Sequence, residues 1–148
     1  MHMKFAHSIA ISAFAKPGED HARIKAALLL LIPFDIEKEK IKFRESSAEG
    51  FESKIVIYEA VLEKERHTNK FIESLKEKLS ADDLHRLAAQ ENRVDNDCYF
   101  YLRLDKPKLL LGEYALTDSG DCFHVKMSIA AFPKKREAAL SVVRKMLK

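Results

Sequence analysis

The sequence predicts a single α+β domain, residues 1–148, with helices packed on one face of a mixed or largely antiparallel sheet of about five to six strands. Segments with strand-like alternation and segments with helical spacing of apolar residues follow one another without strict alternation. The 148 residues, 47% of them hydrophobic, are enough for one sizeable core. With only four glycines and four prolines there is no long flexible linker, so we expect one domain.

The first half of the chain predicts a strand, a helix and two further strands. Residues 5–14 predict the first strand, and Lys16–Asp20 opens a helix that ends near Ile32, before Pro33. Residues 40–46 and 54–62 predict two strands joined by a turn-rich segment. That segment is Ser46-Ser47-Ala48-Glu49-Gly50. The buried stripe of the first helix is expected at Ile24, Ala27, Leu28 and Leu31.

The second half predicts two helices, two strands and a closing helix. A helix covers residues 65–79, and Ser80 caps a third helix in a capping-box-like pattern with Asp83. Strands are predicted at 97–104 and 123–132, with a turn at 118–121 before the second of them. The segment 109–116 is predicted to end as strand. Pro133 suits the first position of a last helix that runs to about Leu147.

Three of these strands alternate apolar residues with basic or aromatic ones. Because a strand sends successive side chains to opposite faces, one face is expected to be buried. The apolar set is Ile41, Phe43, Phe100, Leu102, Leu104, Val125, Met127 and Ile129. The opposite set is Lys40, Lys42, Arg44, Tyr99, Tyr101, Arg103, His124 and Lys126. If the strands share a sheet, the second set forms a cationic surface with exposed rings, which suits a nucleic-acid backbone and its bases.

Each part of this set has a structural alternative. Tyr99 and Tyr101 are core residues with paired hydroxyls if a helix covers their face. Lysines at 40 and 42 also prevent aggregation of an edge strand. Lys134-Lys135-Arg136, at the start of the last helix, is either a backbone-phosphate site or a solvated basic turn.

Net charge and cysteine content set broad limits on function. The net charge is +3 and the pI is about 8.8, which permits nucleic-acid binding without requiring it. Residues 134–148 contain six basic residues and one acidic residue, so the excess is concentrated there. Two cysteines, Cys98 and Cys122, form neither a disulfide framework nor a zinc site. Reduced thiols and a cytoplasmic location are expected, with a cross-strand disulfide as the alternative.

No segment predicts membrane insertion. The longest apolar run, 26–33, is too short to span a bilayer. Residues 5–15 superficially resemble a signal peptide, but His7, Ser8 and Ser12 interrupt their apolar run. A strand is therefore the preferred interpretation of this segment.

Residues for catalysis or cofactor binding are sparse, so we expect a protein without enzymatic activity, metal or cofactor. No two of the six histidines have a metal-binding spacing on one element. The four glycines form neither a P-loop nor a dinucleotide fingerprint. Acidic residues between 91 and 121 suggest a Mg²⁺ nuclease only weakly, because Asp is common in turns and caps. They are Glu91, Asp95, Asp97, Asp118 and Asp121.

One segment, 93–113, resembles a known family. Its motifs are Arg93-Val94-Asp95, an apolar-aromatic strand from Cys98 to Leu102, Arg103-Leu104-Asp105-Lys106, and Gly112-Glu113. Glu19-Asp20 and Val125-Lys126 add to the likeness, which covers nearly the whole chain. The chain thus resembles an archaeal family of small RNA-binding proteins, formerly a domain of unknown function and also classed as predicted exosome subunits. At residues 50–55, where the family pattern has a glycine-asparagine-proline-isoleucine type turn, this chain has Gly50-Phe51-Glu52-Ser53-Lys54-Ile55.

The resemblance implies a fold and a function. The family is similar in fold to the large-subunit ribosomal protein that binds 5S rRNA, which implies a two-layer α+β domain. It also implies a non-catalytic RNA-binding module, accessory to RNA processing or exosome-type degradation. Tyr99 and Tyr101 are the expected stacking residues. The candidate phosphate contacts are Lys40, Lys42, Arg44, Arg103, Lys106, Lys108, Lys126, Lys134, Lys135 and Arg136.

A second class of function is left open. The chain is alternatively a protein-interaction or assembly domain, a homodimer with little RNA affinity, which pairs through a sheet face or edge. If the chain is an RNA-binding module, its expected partners are RNA and proteins of an RNA-processing complex. If it is an assembly domain, its expected partner is a second copy of the chain. An exposed apolar patch would favour the alternative, whereas basic groups on one contiguous face would favour the RNA-binding module.

Overall fold

The regular elements follow one another in an order that places every described strand in one sheet. The computed structural model describes residues 3–49 and 54–148, and within these ranges it has five strands, five α-helices and one 3₁₀ turn. The strands are β1 (Ala6–Ala15), β2 (Lys42–Glu49), β3 (Lys54–Leu62), β4 (Tyr99–Asp105) and β5 (Cys122–Ile129). The helices are α1 (His21–Leu31), α2 (Glu65–Lys78), α3 (Ala81–Ala89), α4 (Lys106–Leu110) and α5 (Arg136–Met146), and the 3₁₀ turn is Glu91–Arg93.

The sheet has the order β2-β3-β1-β5-β4, and every neighbouring pair is antiparallel. Strand β1 lies at its centre, where Ile11 is opposite Ala60 of β3 on one side and Val125 of β5 on the other. The expected α+β class with helices on one face is confirmed, and the sheet is antiparallel rather than mixed.

The core lies between one face of the sheet and the helices. The alternating apolar residues predicted for the last two strands are buried on this face, including Phe100, Leu102 and Val125. Their partners from the helices include Leu28 of α1 and Phe71 of α2. Because burying one such side chain contributes about 1.5–3 kcal/mol, this layer provides the main driving force for folding. The buried stripe predicted for α1 is confirmed at all four positions: Ile24, Ala27, Leu28 and Leu31.

Two element starts differ from the prediction because a capping carboxylate determines them. Helix α1 begins at His21, and Asp20 accepts a hydrogen bond from the backbone N–H of Arg23 at 3.1 Å. Helix α4 ends inside the segment 109–116, which the sequence left ambiguous except for a strand at its end. Asp105 caps it by accepting from the Lys108 N–H at 3.0 Å, and Pro107 lies in its first turn. Only Leu116 of that segment pairs as a bridge, with Leu104.

Two basic segments also begin elsewhere than predicted. Strand β2 begins at Lys42, because Lys40 has a positive φ of 55° in the preceding turn. Strand β5 ends at Ile129, and α5 begins at Arg136 rather than Pro133. The predicted turn at 46–50 is strand as far as Glu49. Gly50 and the segment 51–53, where the chain departs from the family pattern, lie outside the described residues.

Both cysteines are free and buried, so no disulfide joins Cys98 to Cys122. None of the helices in residues 3–49 and 54–148 has the length and apolar character needed to cross a membrane.

Candidate nucleic-acid interface

The face of the sheet opposite the helices contains the alternating basic and aromatic residues. The strand register places Tyr101 beside Lys126 and, one strand further, Ala10. The next row along the strands contains Arg103, His124 and Ser12. Apart from the buried Cys122, side chains of β1, β4 and β5 on this face are exposed or half-buried, whereas the residues that point to the other face of these strands are mostly buried. Helices therefore leave this face accessible, and we call it the open face.

Two tyrosine rings and one ammonium group form a cluster on strands β4 and β5. The Nζ of Lys126 lies 4.2 Å from the ring centroid of Tyr99 and 5.9 Å from that of Tyr101. The two ring centroids are 6.4 Å apart. The Tyr101 side chain is among the most exposed large apolar groups of the described residues, at 38%. Because an ammonium above a ring makes a cation–π contact, the cluster combines a stacking surface with a positive charge.

A carboxylate at the edge of the sheet holds this cluster in place. Asp95 accepts a hydrogen bond from the Tyr101 hydroxyl at 2.9 Å and from the backbone N–H groups of Tyr99 and Asp97, both at 2.9 Å. Burial opposes ionisation of Asp95, but these three hydrogen bonds lower its pKa below the ordinary value. Burial and the bond to Asp95 raise the pKa of Tyr101, so its hydroxyl stays a neutral donor. The orientation of the Tyr101 ring is therefore set before any ligand binds.

Arg103 and His124 lie next to one another on the same face. A terminal nitrogen of Arg103 donates to the backbone carbonyl of Asp118 at 2.9 Å. The His124 ring lies 5.9 Å from the ring of Phe14, and its Nε2 is 3.6 Å from the Cys122 sulfur. Burial and then the charge of Arg103 lower the pKa of His124. Arg103 therefore supplies a cation at neutral pH, whereas His124 is neutral.

An arginine cluster, Arg86 and Arg93 together with Arg103, borders this surface and was missed by the sequence analysis as a set. Arg86 and Arg93 each bind one carboxylate oxygen of Asp118, at 3.3 Å and 3.2 Å. Arg93 and Arg103 also line a cavity of about 430 Å³ together with Tyr101 and Asp118. The motif Arg93-Val94-Asp95 marked Arg93 in the sequence, but no local pattern indicates that Arg86 lies beside it in the folded protein.

The other half of the open face, on strands β2, β3 and β1, differs in charge and polarity. Lys42 and Arg44 are on this face as predicted, but each lies 2.6 Å from a carboxylate, that of Glu63 and that of Glu59 respectively. The register places Lys42 opposite Val61, and this half also contains Phe14, which is 42% exposed. These cations are therefore neutralised, and the neighbouring surface is apolar.

Two of the predicted phosphate contacts lie elsewhere on the surface. Lys40 is in the turn before β2, and Lys108 is in α4, both exposed. The prediction for Lys106 is wrong, because its side chain is buried and the residue is 1% exposed. The Lys106 ammonium donates to the Phe14 carbonyl at 2.6 Å and lies 2.8 Å from the Asp121 carboxylate and 3.4 Å from that of Glu19. It is a structural cation that joins α4 to the end of β1.

The basic segment before α5 is also corrected by the structure. Arg136 folds its guanidinium onto the 3₁₀ turn, where it donates to the carbonyls of Val94 at 2.9 Å and Glu91 at 2.6 Å. It therefore attaches α5 to the turn rather than pointing into solvent as a phosphate ligand. Lys134 and Lys135 precede the helix and are exposed.

Four of the five acidic residues that suggested a nuclease contact separate partners. Glu91 pairs with Arg144, and Asp121 lies against Lys106 and Lys16. Asp95 holds the tyrosine cluster, and Asp118 faces two arginines. Within residues 3–49 and 54–148, no three His, Cys, Asp or Glu side chains come together in a group that could hold a metal ion.

Comparisons with known proteins agree with this geometry. A family model described as RNA binding matches residues 8–129. The chain is 35% identical over 144 residues to RNA-binding protein PAB1135 of Pyrococcus abyssi, an alignment that covers 96% of this chain and 94% of that protein. It is similar to the solved structure of Mth689, a DUF54 protein from Methanothermobacter thermautotrophicus, with 30% identity and a TM-score of 0.77 over 97% of this chain and 99% of that one. It is also similar to the DUF54 protein AF2318 from Archaeoglobus fulgidus, with 29% identity and a TM-score of 0.82 over 95% of this chain and 99% of that one. The chain belongs to the RNA-binding family, formerly called DUF54.

Proposed function

We propose that this protein binds single-stranded RNA on the β4–β5 half of its open sheet face. The observation on which this rests is the cluster of Tyr101, Tyr99 and Lys126, which is exposed to solvent on an uncovered sheet. Bases of a single strand are free to stack on aromatic rings, whereas those of a duplex are not. A stacked base contributes about 1–3 kcal/mol, judged by alanine substitution.

The neighbouring cations give this surface its preference for a phosphate backbone. Lys126 is beside the rings, and Arg103 follows one row further along the strands. Neither has a carboxylate ion-pair partner among the side chains that the structure describes. Their charges are therefore available to phosphate oxygens, and binding should release counterions and depend on salt.

The proposal extends to a non-catalytic role, accessory to RNA processing or exosome-type degradation, in the cytoplasm. Its support is the family membership and the contacts of Asp95, Asp118 and Asp121, each of which pairs with a cation or a backbone N–H. In such a role the open face holds the RNA strand, and another protein carries out the chemistry.

The experiment is a fluorescence-anisotropy titration of a labelled, unstructured oligoribonucleotide across a potassium chloride series. The same sequence annealed to its complement serves as the double-stranded competitor. We expect tighter binding of the single strand than of the duplex. The affinity should fall as salt rises: for each phosphate contact, by about 0.7 logarithmic units per tenfold increase in salt concentration. No binding at about 10 μM protein in low salt would contradict the proposal, because non-specific binders usually reach that range.

A second candidate function is self-association through the apolar half of the open face. The observation in its favour is the exposure of Phe14 opposite Ile57 of β3, with Val61 four residues further along the same strand. Sedimentation velocity of the wild type and of Phe14→Glu distinguishes the two functions. A dimer that dissociates in this variant, together with absence of RNA binding, would replace the RNA-binding proposal.

A further inference from the structure

Three guanidinium groups from three different elements converge on one loop residue, Asp118. Arg86 of α3 and Arg93 of the 3₁₀ turn lie 3.3 Å and 3.2 Å from the two carboxylate oxygens of Asp118. Arg103 of β4 donates to the backbone carbonyl of the same residue at 2.9 Å. Asp83 of α3 lies 3.6 Å from Arg86, so three cations face two carboxylates.

Arg93 is held in place, whereas the Asp118 carboxylate is exposed. The Arg93 side chain is only 11% exposed, and it also donates to the Gln90 amide oxygen at 2.7 Å and to the Tyr101 carbonyl at 3.4 Å. The Asp118 side chain is 69% exposed. Since Asp118 is exposed and Arg93 keeps its hydrogen bonds to Gln90 and Tyr101, rotation of the Asp118 side chain into solvent leaves the Arg93 guanidinium with hydrogen-bond partners.

The cluster borders a cavity that adjoins the stacking surface. The cavity has a volume of about 430 Å³, and Tyr101, Arg103 and Asn92 are among the residues that line it. A nucleotide that stacks on Tyr101 would therefore have its phosphate near the cavity that Arg93 and Arg103 line, with Arg86 on the far side of Asp118.

We propose that Arg86, Arg93 and Arg103 form a phosphate-binding site, and that the Asp118 carboxylate occupies it in the free protein. The inference rests on the proposed function, and the ligand is a phosphate group of the bound RNA. Guanidinium forks bind phosphate oxygens in pairs, as they do carboxylate oxygens. A phosphate therefore replaces the contacts that Asp118 gives up and adds charge, so Asp118 competes with RNA and weakens binding.

Removal of the competing charge is the first test. Asp118→Asn keeps the size of the side chain and the backbone carbonyl that Arg103 binds. We expect it to bind the oligoribonucleotide about threefold to tenfold more tightly in low salt, because the arginines no longer exchange a carboxylate for the phosphate. Glu73→Gln, at an exposed position on α2, makes the same change in net charge and should bind as the wild type does. Unchanged or weaker binding by Asp118→Asn, with the fold intact, overturns the inference.

Removal of a cation is the second test, and it distinguishes the site from simple electrostatics. Arg86→Gln should bind RNA about threefold to tenfold more weakly. Its matched control, Arg66→Gln, also loses a guanidinium paired with a carboxylate, that of Glu39, and should bind as the wild type does. Equal losses in both variants would assign the effect to net charge and overturn the inference. Oligonucleotides with a 5′-phosphate and with a 5′-hydroxyl show whether the site takes a terminal or an internal phosphate.

Inorganic phosphate provides a readout that does not need RNA binding. In a ¹⁵N–¹H spectrum that includes the arginine Nε–H groups, phosphate should shift the signals of Arg93 and Arg103, and at lower concentration in Asp118→Asn than in the wild type. Shifts that are absent, or equal in the two proteins, contradict the arginine site. A wild type that shows these shifts and binds no oligoribonucleotide contradicts the proposed function and leaves the arginine site standing as an anion site.

Discussion

On strand β2, Lys42 and Arg44 each lie against a carboxylate, whereas Lys126 on β5 lies against tyrosine rings and Arg103 on β4 against a loop carbonyl. Both halves of the open face have the same alternation of basic and apolar residues in the sequence. What differs is the group that each cation contacts. In one half it neutralises the cation, and in the other it leaves the charge available, so the pattern alone does not determine which half binds an anion.

The largest expected effect comes from the exposed ring. Tyr101→Ala should weaken RNA binding by about 1–3 kcal/mol, because it removes a stacking surface. The matched change in the other half is Phe14→Ala, which also removes an exposed ring from the open face and should leave the RNA affinity unchanged. Anisotropy titrations of both variants make the comparison. Equal losses would show that the two halves do not differ in RNA binding.

A further variant separates the ring from the hydrogen bond that orients it. Tyr101→Phe keeps the ring and loses the hydroxyl that Asp95 accepts at 2.9 Å. We expect most of the affinity to remain in this variant. If Tyr101→Phe loses as much as Tyr101→Ala, the hydroxyl rather than stacking is responsible for binding.

The next effect concerns the cations. The double variant Lys126→Gln, Arg103→Gln should lower the affinity by about 0.2–1 kcal/mol per lost contact. It should also reduce the salt slope by about 0.7 for each single-strand phosphate contact that is lost. The control is Lys42→Gln, Arg44→Gln, which removes the same charge from the neutralised half and should leave the slope nearly unchanged. A slope that falls equally in both double variants would contradict the division of the face.

A smaller effect is expected when the neutralising carboxylates are removed. Glu59→Gln, Glu63→Gln leaves Lys42 and Arg44 without their ion-pair partners. RNA should then bind a few tenths of a kcal/mol more tightly, since exposed pairs are weak. The salt slope, measured in the same titration series, should become steeper. A change confined to the free energy of unfolding, with the RNA affinity and slope unaltered, would mean that RNA does not reach this half.

The sequence predicts the sheet faces well because alternation is a local property. Phe100, Leu102 and Val125 are buried as their spacing requires, and Tyr101 is on the opposite face. Charge partners are not local. Glu59 is 15 residues from Arg44, and Asp118 is 32 residues from Arg86.

Lys106 shows the same limit: its burial, like the charge partners, depends on residues far away in the sequence. Its ammonium reaches the Phe14 carbonyl, 92 positions away in the chain. No pattern near residue 106 indicates that contact, because a lysine after a strand is usually exposed. Sequence reasoning therefore identified the surface, and the fold decided which of its cations can meet a ligand.

The smallest expected effect is a pH dependence at the boundary between the two halves. His124 lies on β5 beside Arg103 of β4 and Ser12 of β1, with the Phe14 ring against it. Burial and Arg103 lower its pKa, so the ring is neutral at pH 7 and gains a proton only at a lower pH than an ordinary histidine. Between pH 7.5 and 5.5 the wild type should bind RNA up to about 1.5-fold more tightly, because a protonated ring adds a cation beside Arg103.

Titrations of His124→Gln over the same range should lose this gain, whereas the control His85→Gln, at an exposed position on α3, should keep it. The sign for stability is the opposite. Because the folded state disfavours the charged ring, the unfolded chain binds more protons as pH falls, and the wild type loses folding free energy that His124→Gln retains. Urea unfolding at the two pH values measures this difference. If His124→Gln removes both the gain of RNA affinity and the loss of stability at acid pH, His124 lies on the RNA-binding side of the boundary. If the gain of RNA affinity survives in His124→Gln, His124 lies on the side that does not bind RNA.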